Sequence, residues 1–172
     1  ENPFSAVALA TNINSGTAEG GIQLLLRPRK GSVQVGETFL VDIIYRNPKR
    51  ADMDTVKLKL RFDPEVLQVV DADEGNWITR GINIYDGAYH DELPFDHHRR
   101  NAVFNTTGLI TYDNGFGSRT PVPVEGTIAT IKFKAVAPAV TTPIVFSTGD
   151  EGATDPGTAI SFLGFNLIGK PG

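Results

Sequence analysis

The residue types best suited to chemistry are concentrated between His90 and His98, HDELPFDHH, which holds all three histidines of the chain beside Asp91, Glu92 and Asp96. Imidazoles and carboxylates are common ligands for zinc and other borderline metals. Their spacing does not compose a site. Asp96, His97 and His98 are consecutive, and in an extended segment neighbouring side chains diverge to opposite faces, so three ligands would converge only through an unusual turn. The stretch is therefore read as a solvated loop, with no metal assigned to it. Asp71, Asp73 and Glu74 form a second cluster and Asp150, Glu151 and Asp155 a third. Loops of this kind can supply the oxygens calcium needs, but neither follows the order of an EF-hand loop, so both are read as solvated turns.

Nucleophilic and acid–base chemistry find little support. Serines occur without a Gly-x-Ser-x-Gly elbow and cysteine is absent, which also excludes disulfides and thiolate metal sites. Aspartates and glutamates are plentiful, yet nothing singles out one pair for glycoside hydrolysis. Gly115-Phe116-Gly117-Ser118 lacks the lysine and the following helix of a phosphate cradle. The chain is expected to be neither an enzyme nor a cofactor carrier. Trp77, Tyr85, Tyr89, Tyr112 and Phe116 raise a different possibility, since flat exposed rings stack on sugars; the competing reading places them at the ends or rim of a folded core. Asn105-Thr106-Thr107 fits the glycosylation pattern, which carries no weight without a compartment.

The elements that must position these residues are strands. At 172 residues the chain is long enough for one domain with a sizeable core, and its 18 glycines and 11 prolines lie between short apolar runs. A net charge of −4 argues against a nucleic-acid partner, and no apolar run approaches the length of a membrane span. The chain begins at Glu1 and is read as a mature or excised piece. The cleanest pattern is DTVKLKLRFDPEVLQVV, residues 54–70, in which Val56, Leu58, Leu60 and Phe62 alternate with Thr55, Lys57, Lys59 and Arg61. This is a half-buried antiparallel strand, stopped at Asp63-Pro64, where a turn leads into a second apolar run. Similar alternation marks Ile22–Leu26, Phe39–Tyr45 and Ala129–Ala135, the last with Lys132 and Lys134 facing out. Segments 102–105 and 109–112 flank NTTG, and Asp113-Asn114-Gly115 reads as a turn. Residues 1–21 are expected to be a linker or leading arm, and 22–172 the domain, an all-β antiparallel two-sheet sandwich of about nine strands without significant helix.

Several of these stretches resemble one family. GSVQVGETFLVDIIYRN, the FDPEVL corner, and VEGTIATIKFKAVA followed by TTPIVFS are similar to the corresponding strands of cohesin modules, the receptor domains of bacterial cellulosome scaffolds. The resemblance runs from about Ile22 to the C-terminus and is weakest over residues 75–108, and within these 75–98 carry more than the family core requires. It implies a jelly-roll topology and a non-catalytic module that binds a dockerin-like partner on one sheet. The positions matching that surface are Thr55, Lys57, Lys59 and Arg61 on one strand, and Leu109, Thr111, Tyr112, Asp113 and Asn114 on another. Members that bind standard dockerins often have Asn and Asp where this chain has Thr55 and Lys57. The resemblance places the protein outside the cell or on the surface of a bacterium or archaeon. The alternative is a carbohydrate-binding or adhesive sandwich domain that would take a polysaccharide.

Overall fold

The computed structural model describes residues 6–11, 21–74, 80–87, 95–116, 123–147, 157–163 and 165–168. Thirteen strands occur among them: β1 (Ala6–Thr11), β2 (Gln23–Arg27), β3 (Lys30–Gln34), β4 (Thr38–Arg46), β5 (Thr55–Arg61), β6 (Leu67–Val69), β7 (Tyr85–Asp86), β8 (Phe95–Phe104), β9 (Leu109–Phe116), β10 (Glu125–Ala135), β11 (Ala139–Phe146), β12 (Ala159–Phe162) and β13 (Phe165–Asn166). No α-helix occurs among the described residues. Four of the thirteen, β6, β7, β12 and β13, are pieces of two to four residues, and the leading segment contributes β1.

The strands form a jelly-roll sandwich of two sheets, one of eight strands and one of five. In the larger sheet β8 pairs with β9 and β9 with β5. The other edge of β5 is shared: β12 pairs with residues 55–57 and β11 with residues 60–61. Thr158 closes the step between them, its hydroxyl donating to the Lys59 carbonyl at 2.9 Å and accepting the Lys59 N–H at 3.1 Å. Beyond β11 the sheet continues to β1 and β3. The smaller sheet runs β2, β4, β10, with β6 and β7 sharing the far edge of β10. Every strand pair is antiparallel except β1 with β11.

Alternation sets which side chains enter the core. Val56, Leu58, Leu60 and Phe62 from the larger sheet meet Ala129, Ile131, Phe133 and Ala135 from the smaller one, all buried. The Phe62 ring meets Phe133 edge-on at 5.3 Å, and Phe39 stacks on Phe133 at 5.7 Å. On the outside of the smaller sheet Glu125 receives Arg46 at 2.7 Å and Arg27 at 3.3 Å, and the Arg46 hydrogen bond holds its carboxyl below the usual range.

The FDPEVL corner carries the chain from one sheet to the other. Asp63 Oδ1 accepts the Glu65 N–H, and the Asp63 carbonyl accepts those of Val66 and Leu67. The corner rests on the turn between β8 and β9: the Phe62 N–H donates to the Gly108 carbonyl. Gly108 has φ +63°, and a Cβ there would lie 1.9 Å from the Phe62 carbonyl oxygen, so the position requires glycine.

Two expectations change. Asp113-Asn114-Gly115 is not a turn but part of the C-terminal half of β9, paired on both edges with β5 and β8. Gly115 has no positive φ, which an Asn-Gly hairpin turn demands, and the chain reverses instead at Asn105–Gly108. The segment expected over 102–105 is the end of a strand that starts at Phe95, with register shifts between Phe95 and His97 and between His98 and Arg100. Those irregularities erase the alternation by which a strand is recognised.

Candidate functional site

The cross-strand register arranges the outward face of β8, β9 and β5 in four rows. His97, Gly115 and Thr55 form the first, extended by Ser161 of β12. Arg100, Asp113 and Lys57 form the second, ending at Ala159. The third holds Ala102, Thr111 and Lys59, and the fourth Phe104, Leu109, Arg61 and Val145 of β11. Opposed residues in neighbouring strands lie close enough to act as one surface. The cation row expected along β5 is thus present, but Asp113 stands directly opposite Lys57 and also opposite Arg100.

Seven of the nine residues singled out from the sequence share this face: Thr55, Lys57, Lys59, Arg61, Leu109, Thr111 and Asp113. Tyr112 and Asn114 do not. Both are 1% exposed and point into the sandwich, since they alternate with the outward set on β9. Parity along LITYDNGF would have separated the two groups, because Ile110, Tyr112 and Asn114 share one side. Sequence reasoning passed over Arg100, Phe104 and Val145, whose outward positions follow from the pairing of β8 and β11.

The buried pair belongs to a polar cluster between the sheets. β7 is bonded to β10 in the smaller sheet, and its Asp86 side chain reaches across to β9. Asp86 Oδ1 accepts the Tyr112 hydroxyl at 2.5 Å, and Asn114 Nδ2 lies 3.3 Å away. Asn114 is oriented by the Gly115 N–H, which donates to its Oδ1 at 2.9 Å, so its amide nitrogen faces the Tyr112 oxygen at 3.0 Å. His98 Nδ1 stands 2.9 Å from Asp86 Oδ2, which assigns that nitrogen the proton when the carboxylate accepts. Burial pushes the Tyr112 phenol far above its ordinary value, and the Asp86 charge adds to the shift. Such a phenol is a fixed donor, not an acid. A cavity of about 340 Å³ adjoins the cluster, lined by Asp73, Asn83, Asp86, His98, Arg100 and Asn101 among others.

The remaining candidates are dispersed. His97 and His98 diverge as consecutive strand residues do, the first to the outward face and the second to Asp86. Residues 88–94 lie outside the described residues, as do 148–156 with their acidic cluster. Asp71 Oδ1 accepts the N–H groups of Asp73 and Asn83, each at 3.1 Å, which is turn chemistry. No group of three or more His, Cys, Asp or Glu side chains that could hold a metal occurs among the described residues. Of the aromatic candidates, Tyr112 has no exposed ring to offer a sugar. Trp77, Tyr89 and the side chain of Phe116 lie outside the described residues. Asn105 of the glycosylation pattern is occupied, bonding the N–H and carbonyl of Val69 at 2.9 and 3.0 Å.

A family model described as the cohesin domain matches residues 26–158. The chain belongs to the cohesin family. No curated protein matches its sequence. Among solved structures, a type II cohesin domain from the cellulosome of Acetivibrio cellulolyticus superposes with a TM-score of 0.56 at 18% identity, covering 96% of this chain and 86% of that one. A chain from a type II cohesin–X–dockerin complex of the same organism gives 0.55 at 19%, covering 95% and 89%. Type II cohesin A11 from Bacteroides cellulosolvens gives 0.55 at 14%, covering 95% and 89%. At these identities the likeness is one of fold. This cohesin is a non-catalytic protein-interaction module.

Proposed function

We propose that this cohesin docks a dockerin-like module on the outward face of β8, β9 and β5, so fixing an enzyme or surface protein to a scaffold outside a bacterial cell. The observation that carries the reading is the face itself. Three long paired strands present half-buried and exposed side chains of mixed character, and seven of the residues that the family resemblance indicates lie on them. A broad surface with apolar, hydrogen-bonding and charged groups suits a folded protein partner rather than a small ligand. Thr55 and Lys57, standing where Asn and Asp are frequent in the family, favour a partner other than a standard dockerin.

Calorimetric titration against dockerin-like modules encoded in the same genome tests this, with cellulose and xylan as parallel ligands. Saturable binding of a dockerin-like module, abolished by bulky substitution at Thr111 and unaffected by substitutions on the smaller sheet, is the expected result. Binding of polysaccharide with no dockerin-like module bound would place the protein among carbohydrate-binding domains instead.

A further inference from the structure

The four rows differ in chemistry along the strands, and that order specifies the partner more closely. This inference rests on the docking reading above. At one end Phe104, 42% exposed, stands in register with Leu109, and Val145 closes the row beyond Arg61. An Arg stem between apolar side chains extends their surface while its guanidinium stays in water. Two rows away the face is charged: Arg100 and Lys57 flank Asp113, with Lys59 between the two ends. A protein of net charge −4 thus turns four cations and one carboxylate outward across these rows.

We infer that the docking surface of the partner is divided in the same way, with apolar side chains over Phe104, Leu109 and Val145 and carboxylates over Lys57 and Arg100. Four residues of strand separate Arg61 from Lys57, about 13 Å. That distance is about two and a half turns of α-helix, so one short helix can supply both ends. The apolar end holds the complex by burying surface, and the basic end steers an acidic partner and sets its direction on the sheet. A reversed docking would put carboxylates on Phe104 and leave the cations facing apolar groups.

The experiment titrates wild type, Phe104→Ala and Arg100→Gln against the dockerin-like modules of the same genome at low and high salt. Melting temperatures serve as the folding check, and Val145→Ala is the second apolar-end variant should Phe104→Ala melt early. Phe104→Ala is expected to weaken binding at least about ten-fold with its salt dependence unchanged. Arg100→Gln is expected to weaken it several-fold at low salt and to flatten the salt dependence, and amide replacement of the matching partner carboxylates should abolish that effect. Equal binding by wild type and the variants would overturn the division of the face while leaving docking intact, as would the same salt response at both ends. Failure of every dockerin-like module to bind wild type would overturn the docking reading, and this inference with it.

Discussion

Asp86 and Tyr112 join the two sheets through a hydrogen bond of 2.5 Å, the carboxylate coming from β7 of the smaller sheet and the phenol from β9 of the larger. Behind the outward face of β5 and β9 the two sheets are therefore joined by a polar side-chain contact as well as by apolar packing. The partly buried Asp86 carboxylate is tolerated there because Tyr112, Asn114 and His98 present donors to it.

Tyr112 gives this contact a signature at high pH. Its phenol titrates near 10 when unfolded and far higher when folded, because burial and Asp86 disfavour the phenolate. Above pH 10 the unfolded chain therefore binds fewer protons than the native one, and stability falls as pH rises, by up to about 1.4 kcal/mol per pH unit. Below pH 10 the contribution is fully present. Denaturant unfolding of wild type and Tyr112→Phe between pH 8 and 11 is expected to show this component only in wild type.

Asn105 links the β8–β9 turn to β6 by two hydrogen bonds to Val69. Asn105→Ala is expected to cost about 1–3 kcal/mol in urea unfolding, since it leaves the Val69 backbone groups unpaired. A variant as stable as wild type would show that water replaces the carboxamide.

Gly108→Ala should be severe. The left-handed conformation alone costs an L-residue about 1–2 kcal/mol, and the overlap with the Phe62 carbonyl adds to it. Loss of the FDPEVL corner would appear as a lower melting temperature, together with faster amide exchange at Phe62, whose N–H donates to Gly108.

Leu60, wholly buried between the sheets, tests the assignment of faces on β5. Leu60→Ala is expected to destabilise by about 2–5 kcal/mol. A loss below about half a kilocalorie would be incompatible with the core position.

Charge reversal on the proposed docking face is best placed at Lys59 and Arg61, which oppose Thr111 and Leu109, because glutamate at Lys57 would face Asp113. The double variant Lys59→Glu, Arg61→Glu is expected to weaken a dockerin-like partner by at least about 2 kcal/mol with little change in melting temperature, and added salt should slow association of wild type. Calorimetry and stopped-flow association measure the two effects.

Local pattern was sufficient wherever the controlling physics is local. Successive strand residues point to opposite faces, so TVKLKLR by itself determined that Val56, Leu58 and Leu60 are core and that Lys57, Lys59 and Arg61 face outward. Asp63-Pro64 determined the corner, because proline cannot continue a ladder and aspartate caps its own turn. The quoted motifs also led to the cohesin family. What the tertiary structure decided is everything that depends on register between distant strands. Asn-Gly becomes part of a strand because β5 and β8 bracket it, and their pairing outweighs a two-residue turn preference. Lys57 meets Asp113 and Phe104 meets Leu109 only once β8, β9 and β5 are aligned. Asp86 carries no local signal at all, since its role arises from Tyr112 and Asn114, more than twenty residues away and on the opposite sheet.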